Sequence, residues 1–586
     1  MLKTLGLQVK EFKKPSMFAA ACTVAEVALE ISLPLVTASI IDKGIQTGDL
    51  KNVFFYGFIM LCLATASLTM GICAGRFSAV ASTGFAKNLR EGMYKNIQSF
   101  SFSNIDKYST AGLVTRLTTD VTNIQNSYQM LLRMCLRAPI TLICALIMSF
   151  TINARVAGIF LAAIIFLGFV LGIIIRIGMK SFNQVFERYD ELNASVQENV
   201  SAIRVVKAFV REDFEREKFS KASGKLYALS VKAEKIVAYN NPVMNLTIYA
   251  CMLAISWVSA QMIVGGTMTT GNLTSLLTYC MSIMMSLMML SMVFVMMSMS
   301  IASGRRIVEV LEEQPDICSP ENACTEVADG SIDFKNVSFS YDRKVRKNKN
   351  VLNDIDLHIA SGETIGIIGG TGSGKTSFVN LISRLYDATE GSVSVGGRDV
   401  REYDLEVLRN QVAVVLQKNE LFSGTILENL RWGKEDASFE ECERVCRMAC
   451  ADEFIQRMPD KYDTYIEQGG NNVSGGQKQR LCIARALLKA PKVLILDDST
   501  SAVDTATDAR IRKAFKEEIP HTTKIIIGQR ISAIQDADRI IVLDGGRING
   551  VGTHAQLLEN NEIYRTIYEG QTKGGGDFDE PKEGGE

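Results

Sequence analysis

The residues able to do chemistry gather in the second half of the 586-residue chain. In ETIGIIGGTGSGKTS, residues 363–377, an apolar strand runs into G-x-x-x-x-G-K-T. Gly369, Gly372 and Gly374 let backbone N–H groups close around phosphate oxygens at the positive N-terminus of a following helix. Lys375 reaches the outer phosphates, Thr376 offers a hydroxyl to Mg²⁺, and Ser373 and Ser377 line the same loop. VLILD, residues 493–497, ends a second strand on Asp497, placed to hold Mg²⁺ through its water shell. Asp498 follows, where a catalytic base would be better served by the longer glutamate.

Such a loop needs a strand and a helix to hold it, and the texture past residue 330 supplies them. Short β-branched runs alternate there with helical patterns, the signature of an α/β domain. The first half differs. From Ile236 to Gly304 there is no charged residue, enough for two membrane-spanning helices around the turn GGTMTTGN, residues 265–272. Met17 to Ile41, Asn52 to Gly75, Ala138 to Phe150 and Val156 to Ile175 bring the number of spans to six. The lysine-bearing N-terminus reads as an interfacial helix rather than a signal peptide. Long segments rich in Lys and Arg, Arg76 to Arg137 and Arg176 to Lys235, join the spans and predict helices that continue beyond the bilayer. Their charge bias puts them and both termini in the cytoplasm.

The expected fold class is therefore a multidomain membrane protein, a six-helix α transmembrane domain followed by an α/β ATPase domain with a phosphate loop. The expected boundaries are 1–311 for the membrane domain, 312–330 for a polar linker, 331–571 for the nucleotide-binding domain and 572–586 for a disordered tail. A net charge of −1 argues against nucleic acid as a partner. The 13 cysteines show no secreted-domain pattern, and Cys442, Cys446 and Cys450 read as one helix face rather than a metal site.

NVSGGQKQRLCIARALLKAP, residues 472–491, carries the run Val473, Ser474, Gly475, Gly476, Gln477, which resembles the LSGGQ signature of the ABC transporter family with one conservative change. Other motifs follow in family order. Tyr341 resembles the aromatic that stacks on adenine, Gln417 the Q-loop glutamine that touches Mg²⁺, and Ser501 to Asp504 the D-loop. FSFSNIDKYSTAGLVTRLTTDVTNIQN and ENVSAIRVVKAFVREDFEREKF resemble the intracellular loops of bacterial type IV exporters, in the branch of multidrug half-transporters. The resemblance implies coupling helices in those loops that dock on the ATPase domains, ATP and Mg²⁺ as cofactors, and sites formed in trans between two chains.

Two positions depart from the family pattern. Asp498 stands where a glutamate orients the attacking water, and Gln529 stands where a switch histidine contacts the γ-phosphate. The chain has only His358, His521 and His554, so no nearby histidine can substitute. The resemblance thus implies a heterodimer. This chain's Lys375, Asp498 and Gln529 form the degenerate site, while Ser474, Gly475, Gly476 and Gln477 complete the hydrolytic site of a partner that keeps Glu and His.

For the substrate path, the run CMSIMMSLMMLSMVFVMMSMS, residues 280–300, carries nine of the 24 methionines. Met281, Met284, Met285, Met288, Met292 and Met296 fall on one broad helical face that either accepts varied apolar ligands or packs against lipid and neighbouring helices. Glu26 and Glu30 lie one turn apart in the first span, as cavity acids for cationic amphiphiles or as interhelical partners. The expected activity is ATP-driven export of amphipathic drugs or lipophilic compounds across the plasma (inner) membrane. The alternatives are a dedicated lipid, peptide or siderophore exporter, or a regulatory or channel-like subunit.

Overall fold

The computed structural model describes residues 1–341, 350–498 and 503–573. Two compact units result: Met1–Gln98 with Ser109–Glu313, and Ser99–Tyr108 with the chain from Gln314 onward. In chain order the main helices of the first half are α1 (Lys13–Ile40), α2 (Leu50–Gln98), α3 (Phe102–Lys107), α4 (Val121–Ile152), α5 (Ala154–Ser201), α6 (Ile203–Ala208), α7 (Glu212–Ala238), α8 (Asn240–Val264) and α9 (Thr270–Glu312).

Six helical stretches among the described residues are long and apolar enough to cross a membrane: Lys10–Ile45, Leu50–Gln98, Thr110–Ile152, Ala154–Phe182, Glu212–Val264 and Thr270–Leu290. They coincide with the six charge-poor stretches of the sequence. The 49 residues of α2 make a rod of about 70 Å against a hydrocarbon core of about 30 Å. Its helix must therefore continue well outside the bilayer.

Pro34 lies inside α1 and has no N–H to give the preceding turn. Two hydroxyls on α9 serve the carbonyls around it: Tyr279 donates to Ile31 O at 2.7 Å and Ser275 to Pro34 O at 2.6 Å. Each carbonyl accepts through its second lone pair, and the two bonds tie α9 to α1. The apolar core between α1, α4, α5, α8 and α9 includes Val27, Ala145, Phe160, Leu167, Ile255 and Ile283.

In the second unit one four-stranded antiparallel sheet combines β1 (Ile332–Phe339), β2 (Leu352–Ile359), β4 (Glu390–Val395) and β5 (Arg398–Asp399). A second sheet has six strands: β3 (Thr364–Gly369), β6 (Val412–Val415), β7 (Val493–Asp497), β8 (Thr523–Ile527), β9 (Arg539–Asp544) and β10 (Arg547–Gly552). Their order is β10-β9-β3-β8-β7-β6, parallel except for the β9/β10 edge. Every residue of β7 and β8 is buried, as expected of parallel strands covered on both faces. The carboxyl ends of β3, β7 and β8 lie side by side, the edge where open α/β sheets bind ligands. A final helix, Glu562–Lys573, takes in the first two residues of the expected tail. The remainder, 574–586, is outside the described residues.

Candidate functional site

The phosphate loop leaves β3 at Gly369 and enters helix α10 (Lys375–Ile382), with Gly374 as N-cap. Three of its glycines are there for physical reasons. Gly372 and Gly374 have φ of +79° and +96°, values that a side chain strains against. A Cβ on Gly369 would lie 2.1 Å from Leu543 O, so the backbones of β3 and β9 approach too closely for any other residue. Lys375 Nζ folds over the loop and donates to Gly369 O at 2.8 Å and Gly370 O at 2.9 Å. Burial lowers its pKa, and the neighbouring Asp497 and Asp498 pull it back up.

Asp497 is buried at the end of β7 and accepts a hydrogen bond from Thr376. Its pKa is raised, first by burial and then by the charge of Asp498, against Thr376 and Lys375. Asp498 is raised too, by burial, while hydrogen bonds from Gln417 and Gln529 and the charge of Lys375 lower it. Its backbone is left-handed, φ +48°, and its N–H donates to Ile527 O at 3.1 Å; aspartate is among the few side chains that tolerate this region. Thr376, Gln417 and Asp497 present a hydroxyl, an amide and a carboxylate, the hard oxygen donors that Mg²⁺ takes while keeping waters. The raised carboxyls report burial first, with the charge of Asp498 adding to it at Asp497, and a divalent cation would stabilise such buried anions. These residues fit the ion.

The two departing positions meet. Gln529 Nε2 donates to Asp498 Oδ2 at 2.7 Å. Gln571, on the last helix, donates from Nε2 to Gln529 O at 2.8 Å and accepts from Ile531 N at 2.9 Å, so it props the segment that carries Gln529. A cavity of about 160 Å³, lined in part by Asp498, Thr505, Gln529 and Ser532, opens beside the pair. That is space for a few waters.

Tyr341 sits just past β1, half exposed, and its hydroxyl shares a 2.9 Å hydrogen bond with Ser377 on α10. The aromatic ring thus stands beside the phosphate loop, half exposed. Ser373 is buried within the loop. Ser474 is N-cap of helix α11 (Gly475–Leu487). It forms a reciprocal pair with Gln477, Ser474 N donating to Gln477 Oε1 at 2.8 Å and Gln477 N to Ser474 Oγ at 3.3 Å. Gly475 and Gly476 leave the helix start uncovered by side chains, a ready place for an anion. Asp504 caps the helix Thr505–Glu518; Ser501 and Ala502 of the expected D-loop are outside the described residues. Cys442, Cys446 and Cys450 are buried in the apolar core, and among the described residues no group of three or more His, Cys, Asp or Glu is placed to hold a metal.

In the membrane unit each of the candidate substrate side chains takes one of the arrangements expected for it. Glu26 and Glu30 are not free cavity acids: Arg137 Nη1 donates to Glu26 Oε1 at 2.6 Å and Arg137 Nη2 to Glu30 Oε1 and Oε2 at 2.8 and 2.7 Å. One guanidinium, from α4, satisfies both acids of α1, the interhelical arrangement. Met284 takes the packing alternative, within the apolar core. It is wholly buried, whereas Met281, Met285, Met288, Met292 and Met296 form an exposed stripe along α9.

Three comparisons with known proteins agree with this architecture. Residues 16–305 match the family model of the ABC transporter transmembrane region, and residues 352–501 match the ABC transporter model. The chain is 37% identical to the uncharacterized ABC transporter ATP-binding protein YfiB of Bacillus subtilis, over 97% of this chain and 98% of the relative. It is 30% identical to an ATP-dependent lipid A-core flippase of Desulfotalea psychrophila, over 97% and 99%. A solved structure of a bacterial Atm1-family ABC exporter with ATP bound shares the fold at TM-score 0.82 and 23% identity, over 96% of this chain and 100% of that one.

Proposed function

From the premise that the chain belongs to the ABC transporter family, with the six membrane helices and single ATPase domain of an exporter half, we propose that it is the subunit of a heterodimer that carries the degenerate ATP site. ATP-driven export follows from the family; the division of labour rests on one observation, the 2.7 Å hydrogen bond between Gln529 and Asp498. The carboxylate that would polarise water is one methylene short and already engaged by amide donors. Misplacement by an ångström or so costs about 10²-fold in rate. A glutamine amide neither gains nor loses a proton near neutral pH, so Gln529 cannot replace a histidine in proton chemistry.

In this reading Gly369, Gly372, Ser373, Gly374 and Lys375 grip the phosphates, Ser377 steadies Tyr341, and Tyr341 stacks on adenine. Bound between Thr376, Asp497 and Gln417, Mg²⁺ would neutralise charge on the β and γ phosphates. ATP then stays in this chain's site and acts as a clamp. Ser474, Gly475, Gly476 and Gln477 close over ATP held by a partner with Glu and His, where hydrolysis proceeds. The protein lies in the plasma (inner) membrane with its ATPase domain and both termini in the cytoplasm, and closure of the two ATPase domains drives the membrane helices outward-open. Amphipathic compounds are the substrate class that the exposed methionine stripe suits best, since thioethers adapt to ligands of varied shape. The likeness to a lipid A-core flippase supports a second reading, export of one dedicated lipid.

Affinity purification of the tagged chain from its native membranes tests the proposal. A second ABC half with Glu and His at the two positions, recovered in equal amount, is the expected result. Recovery of this chain with itself alone counts against it.

A further inference from the structure

Tyr386 follows the phosphate-loop helix α10 and touches two regions at once. Its ring meets Tyr341 edge-on, 5.1 Å between centroids and 88° between planes. It packs against Phe339 at 5.7 Å and Phe102 at 6.1 Å. Its hydroxyl donates to the carboxylate of Asp106. Phe102 and Asp106 belong to α3, a helix that the sequence assigns to the loop between two membrane spans but that packs within the same compact unit as the ATPase domain. Ser103 Oγ donates to Asp316 Oδ1 at 2.6 Å and Asn104 Nδ2 to Gln314 O at 3.1 Å, which fixes the other side of α3. Burial, and then Asp106 itself, push the Tyr386 hydroxyl well above the usual phenol range. It is therefore a permanent donor near neutral pH and the contact does not titrate away.

We propose that Tyr386 is a positioning residue that reads whether a nucleotide base occupies Tyr341 and passes that state to the segment Ser99–Tyr108 through its hydrogen bond to Asp106. The inference rests on the reading of Tyr341 as the adenine platform. Tyr341 is half exposed, with a hydroxyl anchored to Ser377 of α10 and Tyr386 against its ring, and we take its exposed part as the open side. A base laid on the open side confines the ring, and the ring confines Tyr386. A ligand made of phosphates alone reaches α10 but leaves the open side of Tyr341 untouched. Coupling between two sites requires such a difference in contacts, and the base supplies it.

Hydrogen–deuterium exchange of the full-length chain in lipid nanodiscs tests this, read at the backbone amides of residues 99–108 with Mg-ATP and with Mg-tripolyphosphate. ATP is expected to slow exchange there about tenfold, the scale of one hydrogen bond to a charged acceptor, and tripolyphosphate to leave it unchanged. Tyr386→Phe keeps the ring and removes the donor; it should abolish the ATP effect while ATP affinity stays within about twofold. Asp106→Asn keeps an acceptor and should retain the effect, whereas Asp106→Ala should lose it. An equal response to ATP and tripolyphosphate overturns the proposal, as does an ATP effect that survives Tyr386→Phe. Tyr341→Ala separates the two readings. Unchanged ATP affinity in that variant removes the adenine platform and the relay with it, while lost affinity together with an intact effect in Tyr386→Phe removes the relay alone.

Discussion

Gln529 and Asp498 hold each other, Nε2 to Oδ2 at 2.7 Å, across 31 positions of sequence. A carboxylate that accepts amide protons from Gln529 and Gln417 has fewer lone pairs to offer a water. The two departures from the family pattern therefore form one local arrangement, and changing either residue alone should leave the other poorly placed.

Magnesium affinity should depend on pH through Asp497. Its carboxyl is raised by burial and by Asp498, so the folded chain binds that proton more tightly than the unfolded one. Stability then falls as pH rises from the ordinary aspartate value of about 3.9 through the raised pKa. Magnesium needs the carboxylate, so its affinity rises over the same interval. Calorimetric titration of Mg²⁺ into the ATP-bound chain should show this rise, and Asp497→Asn should bind weakly with little pH dependence.

Gly374→Ala should cripple nucleotide binding. Its φ is +96° and a Cβ there would lie 2.7 Å from Leu352 Cδ2 and 3.1 Å from Val351 O. The left-handed conformation alone costs about 1–2 kcal/mol, so a loss of at least about tenfold in ATP affinity is expected. Gly370→Ala is the control: nothing lies within 4 Å of its Cβ position, and affinity should hold within about threefold.

Arg137→Ala should destabilise the membrane unit by about 3–5 kcal/mol, because it strands Glu26, whose side chain is only 10% exposed, as a buried unpaired charge. Adding Glu26→Gln and Glu30→Gln removes the stranded charges and should recover much of the loss. Thermal unfolding of the wild type and the two variants in detergent measures both steps.

The methionines of α9 should divide by burial. Met284 is 0% exposed and Met285 65%. Met284→Ala should cost about 2–5 kcal/mol. Met285→Ala and Met292→Ala should leave stability within about 0.5 kcal/mol and change which hydrophobic dyes the assembled transporter moves into inverted vesicles.

What could be read ahead of the structure follows from how local each signal is. The phosphate loop was legible because glycines at fixed spacing encode backbone angles, and the six spans because lipid excludes charge over twenty residues at a time. The reciprocal pair of Ser474 and Gln477 lies within one helical turn, so it too was within reach. Arg137 was not, being 111 positions from Glu26, and helical spacing on α1 says nothing of what α4 brings to it. The same holds for Gln571 behind Gln529 and for Tyr386 against Asp106, 280 positions apart. Met284 and Met285 are neighbours of one residue type, and only the packing of α9 tells them apart.

ATP turnover by the purified chain alone tests the central claim most directly. The wild-type chain is compared with the double variant Asp498→Glu, Gln529→His, which restores the family's residues at both departures. The account predicts a gain of about 10²-fold or more in the double variant. A wild-type chain that already hydrolyses ATP as fast as the double variant would contradict it.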